Sequence, residues 1–345
     1  MKKTITAALG LVAFCSPAFA QTDSVATQRT DLLNIDIRAR VDWQNVWYDS
    51  ETDDSNSGFE GKYLMMRLDG RITDGVTYSW RQRFNKTALD SNFFDATDWL
   101  NVTYSTSGFD FSAGKQIVAI GGWEYDRNPV DLYSTGVFWQ NVNCYQLGVS
   151  AAYQFAPQDN LLFQVSQSMF HTKENRNMYD YNLLWRAHHG LWQPIWSVNL
   201  SEYAPGRYIN YIMLGNRFDY DKAYLEFDLM NRYAHGQAFF LRDCSLIAEL
   251  GYNITPAWRL HAKYTYDVNN THNYADKYVL PGTELNMAGG GIEFYPLKKR
   301  RTSLRLHANC YGSWGKNMNT ADVMQNKTVV LDFGISWDMN VLNLK

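Results

Sequence analysis

The sequence predicts an all-β protein, a transmembrane, antiparallel up-and-down β-barrel of about 16 strands. Three observations carry that expectation. Segments of about ten residues alternate apolar and polar side chains along most of the chain. Short turns and longer polar loops succeed each other in strict rotation. Aromatic residues make up 15% of a chain that is polar on average and holds only 8 prolines, a combination that aromatic girdles at two membrane interfaces explain.

At the N-terminus, Lys2 and Lys3 precede an apolar stretch from Ile5 to Phe14, then Pro17 and Ala18-Phe19-Ala20. This pattern predicts a signal peptide over residues 1–20, cut after a small-x-small site. The apolar stretch is too short to cross a bilayer as a helix, and bulky Phe14 in front of Cys15 argues against lipid attachment there. Residues 21–345 show no composition shift or linker and are expected to form the barrel as one domain.

The chain carries 32 basic and 35 acidic residues, and the leader would remove two lysines and no acid. Such a mild acidic excess is not a nucleic-acid balance. Cys144, Cys244 and Cys310 follow the leader, too far apart for a metal-ligand spacing and odd in number, so buried or lipid-facing thiols are expected. No apolar run beyond residue 20 is long enough for a membrane helix. Since every backbone group in hydrocarbon must be paired, a closed barrel is the remaining way to span.

The first strand shows the rule. Leu33, Ile35, Ile37, Ala39, Val41 and Trp43 interleave with Asn34, Asp36, Arg38, Arg40, Asp42 and Gln44. Trp258, Leu260, Ala262, Tyr264 and Tyr266 repeat it, as do Leu304, Leu306, Ala308 and Cys310. A soluble β-sandwich alternates too, but its strands do not need a membrane-crossing length.

Short turns are expected at Thr73-Asp74-Gly75, Thr106-Ser107-Gly108, Ala156 to Asp159, His189-Gly190, Asp219 to Asp221, Asn253 to Ala257 and Pro296 to Arg301. Longer polar stretches lie near 50–58, 86–94, 118–141, 171–180, 202–207, 233–239, 268–283 and 315–327. Tyr104, Phe109, Tyr153, Trp192, Tyr252, Trp258, Phe294 and Trp337 sit beside the short turns, where a periplasmic girdle would lie. A barrel of this size is too wide for side chains to fill and leaves an aqueous channel.

The longest central stretch opens Gly114-Lys115 and continues Gly121-Gly122-Trp123-Glu124-Tyr125-Asp126-Arg127. With that Gly-Lys and Gly-Gly-aromatic-Glu-Tyr-Asp pattern after the fifth strand, the chain resembles the phosphate-selective porin O and P family. The resemblance implies a passive outer-membrane channel of a Gram-negative-type bacterium, a third loop at about 118–141 folded into the lumen, and a homotrimer. The stretch departs from phosphate selectivity in offering few cations beyond Lys115 and Arg127.

Strand register sorts the lumen-facing charges without the family. Arg38, Arg40, Arg67, Arg71, Arg81 and Arg83 fall on the first three strands, and closure would bring Arg305 and His307 beside them, with Arg259, His261 and Lys263 extending the basic wall. Glu124, Asp126 and Asp131 on the third loop, with Arg127 among them, and Glu226, Asp228 and Glu249 across the barrel are the expected acidic counterparts. Opposed rows of charge would create a transverse field that favours polar or anionic solutes. The same residues also suit a purely bracing role, each arginine paired to a nearby acid.

A barrel hydrolase would need a nucleophile beside a base. His188, His261 and His307 are expected to face inward, but none has an activating motif nearby. A sugar-specific channel would need an aromatic track, and Trp99, Tyr211 and Tyr224 do not form an obvious one. No cofactor or metal is implied. The expected partners are outer-membrane lipid and small hydrophilic solutes. The glycines Gly289, Gly290 and Gly291 relieve crowding or mark a bulge within a strand.

Overall fold

Alternating side chains need a surface that is apolar on one side and polar on the other, and the chain supplies it by closing a sheet on itself. A computed structural model describes residues 31–85, 93–237, 240–297 and 303–345. The expected signal peptide at 1–20 lies outside them, as do most of the stretch at 86–94 and part of the turn expected at Pro296 to Arg301.

Sixteen long strands make the wall. In chain order they are β1 (Leu33–Tyr48), β2 (Gly58–Thr73), β3 (Val76–Arg83), β4 (Thr97–Thr106), β5 (Phe109–Ile117), β6 (Tyr145–Ala156), β7 (Asp159–Gln167) and β8 (Tyr179–Ala187). They continue as β9 (Trp192–Ala204), β10 (Arg207–Tyr220), β11 (Ala223–Ala234), β12 (Asp243–Thr255), β13 (Trp258–Asn269), β14 (Glu284–Phe294), β15 (Leu304–Lys316) and β16 (Thr328–Leu344). A two-residue strand, Glu51–Thr52, folds back on the end of β1. Successive strands pair antiparallel, and β16 closes on β1 from Leu33 opposite Leu344 to Tyr48 opposite Thr328. Closure satisfies the ladder in hydrocarbon without leaving an open edge.

The burial pattern is that of a protein turned inside out. Val41, Leu100, Phe163, Leu183, Leu250 and Phe333 are exposed on the outside, whereas Arg40, Asn182, Asn199, Glu249 and Lys263 are buried on the inside. Directly paired residues share a face, so Val41 lies beside Ile335 and Leu183 beside Val198 in the apolar band. Tyr104, Phe109, Tyr153, Tyr252 and Trp258 are exposed next to the short turns, with Phe109 stacked on Tyr153 at 4.4 Å. Trp185 meets the edges of Trp192 and Trp196 at 6.0 and 5.2 Å. The indole N–H groups of Trp192 and Trp196 both donate to the outward-facing Asn216.

Short turns form where expected, often of two residues. Ser107 and Gly108 have φ of 48° and 83°, the left-handed pair that matches the twist of a hairpin. The polar stretch at 202–207 is a correction, because β9 and β10 are joined by Pro205-Gly206 alone. The Glu202 carboxylate accepts from the Gly206 N–H at 2.6 Å, and a register shift at Glu202 and Ala204 absorbs the extra residue, so polar side chains here belong to strand ends. Gly289–Gly291 continue β14 without a register shift. A Cβ on Gly289 would stand 2.2 Å from the Cys310 carbonyl oxygen, so these glycines relieve crowding.

Candidate pore-lining site

The chain between β5 and β6, residues 118–144, leaves the wall and runs along the inner face of distant strands. Its backbone is tied down first. Ala119 N donates to Gln164 Oε1 and Gly121 N to Ser197 Oγ, both at 2.8 Å. The glycine pair is what permits this approach. A Cβ on Gly121 would lie 2.5 Å from the Ile195 carbonyl oxygen, and Gly122 has φ of 95°. A short helix, Trp123–Asp126, then begins against Asp228, whose two carboxylate oxygens each accept a backbone N–H, from Trp123 and Glu124, at 2.9 Å.

The charged side chains of this segment are in direct contact with the wall rather than facing it across a gap. Glu124 pairs with Lys263 at 2.6 Å, Asp126 with Arg186, and Asp131 with Arg305 at 2.9 Å. Arg127 reaches Glu249 at 2.6 Å and also Glu226. Burial alone would lower the Arg127 pKa, but the two carboxylates hold it well above its usual value. The expected opposition of loop acids to wall cations is therefore resolved into ion pairs, because the loop crosses to the cations.

Beyond Asp131, the Leu132 carbonyl accepts from Arg40 at 2.6 Å. Tyr133 donates to Glu293 at 2.6 Å, its ring against His261 and His307 at 5.2 and 4.6 Å and below the Arg40 guanidinium at 4.7 Å. Burial pushes the Tyr133 phenol well above its ordinary pKa and keeps it a neutral donor. The segment returns through a second short helix, Val137–Asn141, where Val137 N donates to Asp267 and Asn141 to Asp322.

A second group occupies β2 to β4. Arg67 pairs with Asp69 at 2.6 Å, and Arg81 and Arg83 share Asp98 at 2.9 and 3.2 Å. The Arg81 guanidinium lies 3.7 Å from the centre of the Trp99 ring and 5.4 Å from that of Tyr145. In this group, and at Arg259, the cations are the more accessible partners, whereas Asp131 at 33% is more exposed than Arg305 at 8%. Arg83 is 19% exposed against 0% for Asp98, and Arg259 is 27% exposed against 0% for its partner Glu293. At these two pairs the acid sits in the wall and the guanidinium group reaches past it.

The other expected residues divide between these groups and the rim. Arg38 pairs with Asp338 at 2.9 Å, Arg40 is buried against Asp42, and Arg71 meets the exposed Asp74 at a short turn. His261 and His307 are buried inside, whereas His188 is exposed beyond the end of β8, where the strand periodicity no longer sets its direction. Lys115 shares the outer face with Leu100 and Leu147 and donates to the Phe94 carbonyl at 3.0 Å.

Sequence reasoning missed Asp98, Tyr133, Tyr145, Arg186 and Arg217. Asp98 was hidden by a register shift between Arg81 and Gln82, which turns it inward beside Trp99 and breaks the period of two. Arg186 and Arg217 alternate regularly, and their inward register was a usable signal. Among the described residues no group of three or more His, Cys, Asp or Glu side chains is arranged for a metal ion.

A family model described as phosphate-selective porin O and P matches residues 33–336. Among solved structures, the anion-selective porin from Comamonas acidovorans aligns with a TM-score of 0.64 at 10% identity, covering 89% of this chain and 99% of that one. The outer-membrane channel DcaP of Acinetobacter baumannii gives 0.62 at 13% identity, covering 89% and 96%. OmpT of Vibrio cholerae, in a trimer form, gives 0.59 at 12% identity, covering 90% and 100%. At these identities the likeness is one of fold. No curated protein sequence matches this one.

Proposed function

This chain belongs to the phosphate-selective porin O and P family and is an outer-membrane channel for small solutes rather than an enzyme, and on that footing we propose that its lumen is a passive, arginine-lined filter favouring anionic solutes. The observation that carries the reading is the unequal exposure within two of the ion pairs. Arg83 and Arg259 present guanidinium groups to the lumen while Asp98 and Glu293 are buried behind them. A charge facing water in a narrow, low-dielectric passage sets the local potential more strongly than a partner sunk in the wall. Arginine also stays protonated at any accessible pH, so such a filter keeps its sign.

In this reading Arg38, Arg40, Arg67, Arg71, Arg81, Arg83, Arg259, Lys263 and Arg305 form the basic lining. The third loop, with Glu124, Asp126, Arg127 and Asp131, narrows the passage, its hold on the wall supported by the hydrogen bonds and ion pairs above. The residues 1–20 act as an export signal. The native assembly is a homotrimer, as in the OmpT form of Vibrio cholerae.

The test is the reversal potential of the purified protein in a planar bilayer under a salt gradient, beside the double variant Arg83→Gln and Arg259→Gln. Anion preference in the wild type and a shift toward cations in the variant support the filter. An unchanged reversal potential in a variant that still conducts rejects it. Electrophoretic migration of the unheated protein at three times the chain mass checks the trimer.

A further inference from the structure

We propose that a cavity on the long-loop side of the third loop is a binding subsite for one neutral, hydroxylated six-membered ring, such as a hexose unit. The inference goes beyond the anion filter, shares only Arg40 with its basic lining and stands or falls separately.

The cavity has a volume of about 170 Å³ and lies between the returning limb of the third loop and the inner wall of β1, β2 and β13 to β16. Residues Asn317, Asp322 and Met324 of the following long loop close its outer side. A cavity of about 150 Å³ accommodates benzene, so this one has room for a single ring-sized solute and not for a chain of them.

Its lining chemistry selects the kind of ring. Tyr63, Tyr133, Trp139 and Tyr311 contribute aromatic surface, to which the C–H face of a sugar ring can apply. Trp139 is half-buried, packed against the apolar cluster that contains Phe138 and Tyr278, and its indole N–H has no hydrogen-bond partner among the described residues. Gln44 uses its amide N–H on the Asn56 carbonyl and keeps its oxygen, whereas Gln140 uses its oxygen on Thr135 and keeps its N–H groups. The walls therefore offer donors and an acceptor at once, the combination that a hydroxyl group matches and a simple anion does not.

Charge argues against an anion. Four charged side chains reach the cavity, two of each sign, and each already has a partner. Arg40 is held by Asp42, Lys62 by Glu60, Asp322 by Asn141 and Asn317, and Asp332 by Asn309. Both cations are thus paired with carboxylates and leave an anion nothing to neutralise, while Asp322 and Asp332, held by neutral asparagines, remain acceptors for a ligand's hydroxyl groups. This separates the cavity from the region of Arg83 and Arg259, where guanidinium groups reach past their acids. The aromatic residues concerned are not Trp99, Tyr211 and Tyr224, which are buried within the wall and its loop contacts.

The experiment is current-noise analysis of the purified channel in a planar bilayer with glucose added to the long-loop side. Sorbitol, an open-chain polyol with the same class of hydroxyl group, is added in a parallel trace. Glucose is expected to produce excess noise with half-effect in the millimolar range, as suits a transit site. Sorbitol is expected to produce none beyond its effect on bulk conductivity. Trp139→Ala and, separately, Gln140→Ala should each weaken the glucose effect by roughly tenfold while leaving the salt-gradient reversal potential unchanged. The double variant Arg83→Gln and Arg259→Gln should retain the glucose effect. The proposal is overturned if glucose adds no noise, if sorbitol acts equally, or if conducting Trp139→Ala and Gln140→Ala channels respond like the wild type. None of these results bears on the anion filter, which is read from the reversal potential alone.

Discussion

Replacing Arg127 by methionine tests how the third loop is held. The guanidinium is only 13% exposed and donates to both oxygens of Glu249, at 2.6 and 2.7 Å, as well as to Glu226. Glu226 and Glu249 lie directly opposite each other on β11 and β12, so removing the cation leaves two buried carboxylates as neighbours. Breaking a buried pair in this way costs about 3–5 kcal/mol when nothing compensates. Here compensation is partial. Arg217 still holds Glu226 at 2.7 Å, and Tyr224 still donates to Glu249 at 2.8 Å, while Lys263 stands 3.9 Å away. Allowing half of the penalty gives about 2 kcal/mol, a roughly thirtyfold rise in the population of channels with this contact released. Single-channel recording should show it as more frequent excursions to higher conductance, and the temperature at which the folded band is lost on electrophoresis should fall. The charge-matched double variant Arg127→Met with Glu249→Gln should recover much of both effects. A single variant with wild-type noise and wild-type thermal behaviour would refute the claim that this ion pair holds the loop.

Three further outcomes are expected. Gly289→Ala places a Cβ 2.2 Å from the Cys310 carbonyl oxygen and 2.5 Å from the Tyr311 ring and should cost about 1–3 kcal/mol in urea unfolding from vesicles, whereas a Cβ on Gly61 meets nothing within 4 Å and Gly61→Ala should be nearly neutral. Burial pushes the Cys144 thiol up to about 11, leaving about one molecule in a thousand as thiolate at pH 8, so peptide-level mass analysis after maleimide treatment should show slow labelling of Cys144 at pH 8 and faster labelling at pH 10. Asn216→Leu removes the shared acceptor of the Trp192 and Trp196 indole groups and should lower unfolding stability by about 1–2 kcal/mol, with a change in tryptophan emission.

Alternation along Leu33 to Gln44 was enough to assign the faces of β1, because a period of two is a local property of an extended chain and every strand in a closed membrane barrel must separate lipid from water. Turn chemistry and loop length similarly gave the barrel class, its sixteen long strands and the inward placement of Arg40, Arg81 and Lys263. Gly121-Gly122 stood in the sequence as part of the family pattern, and only the structure showed that the pair lets the backbone approach β9 closely. Partners were decided only by tertiary structure. Arg127 and Glu249 are 122 residues apart, and nothing local indicates that the loop will cross to β11 and β12 rather than face them. Asp98 turned inward at a register shift, since one displaced residue reverses the face taken by its neighbours along the strand, whereas Lys115 faces outward in a strand that pairs without any shift and finds its acceptor in the Phe94 carbonyl. Local periodicity determines which side of the wall a charge occupies. The closure of the barrel and the path of the third loop determine which opposite charge it meets.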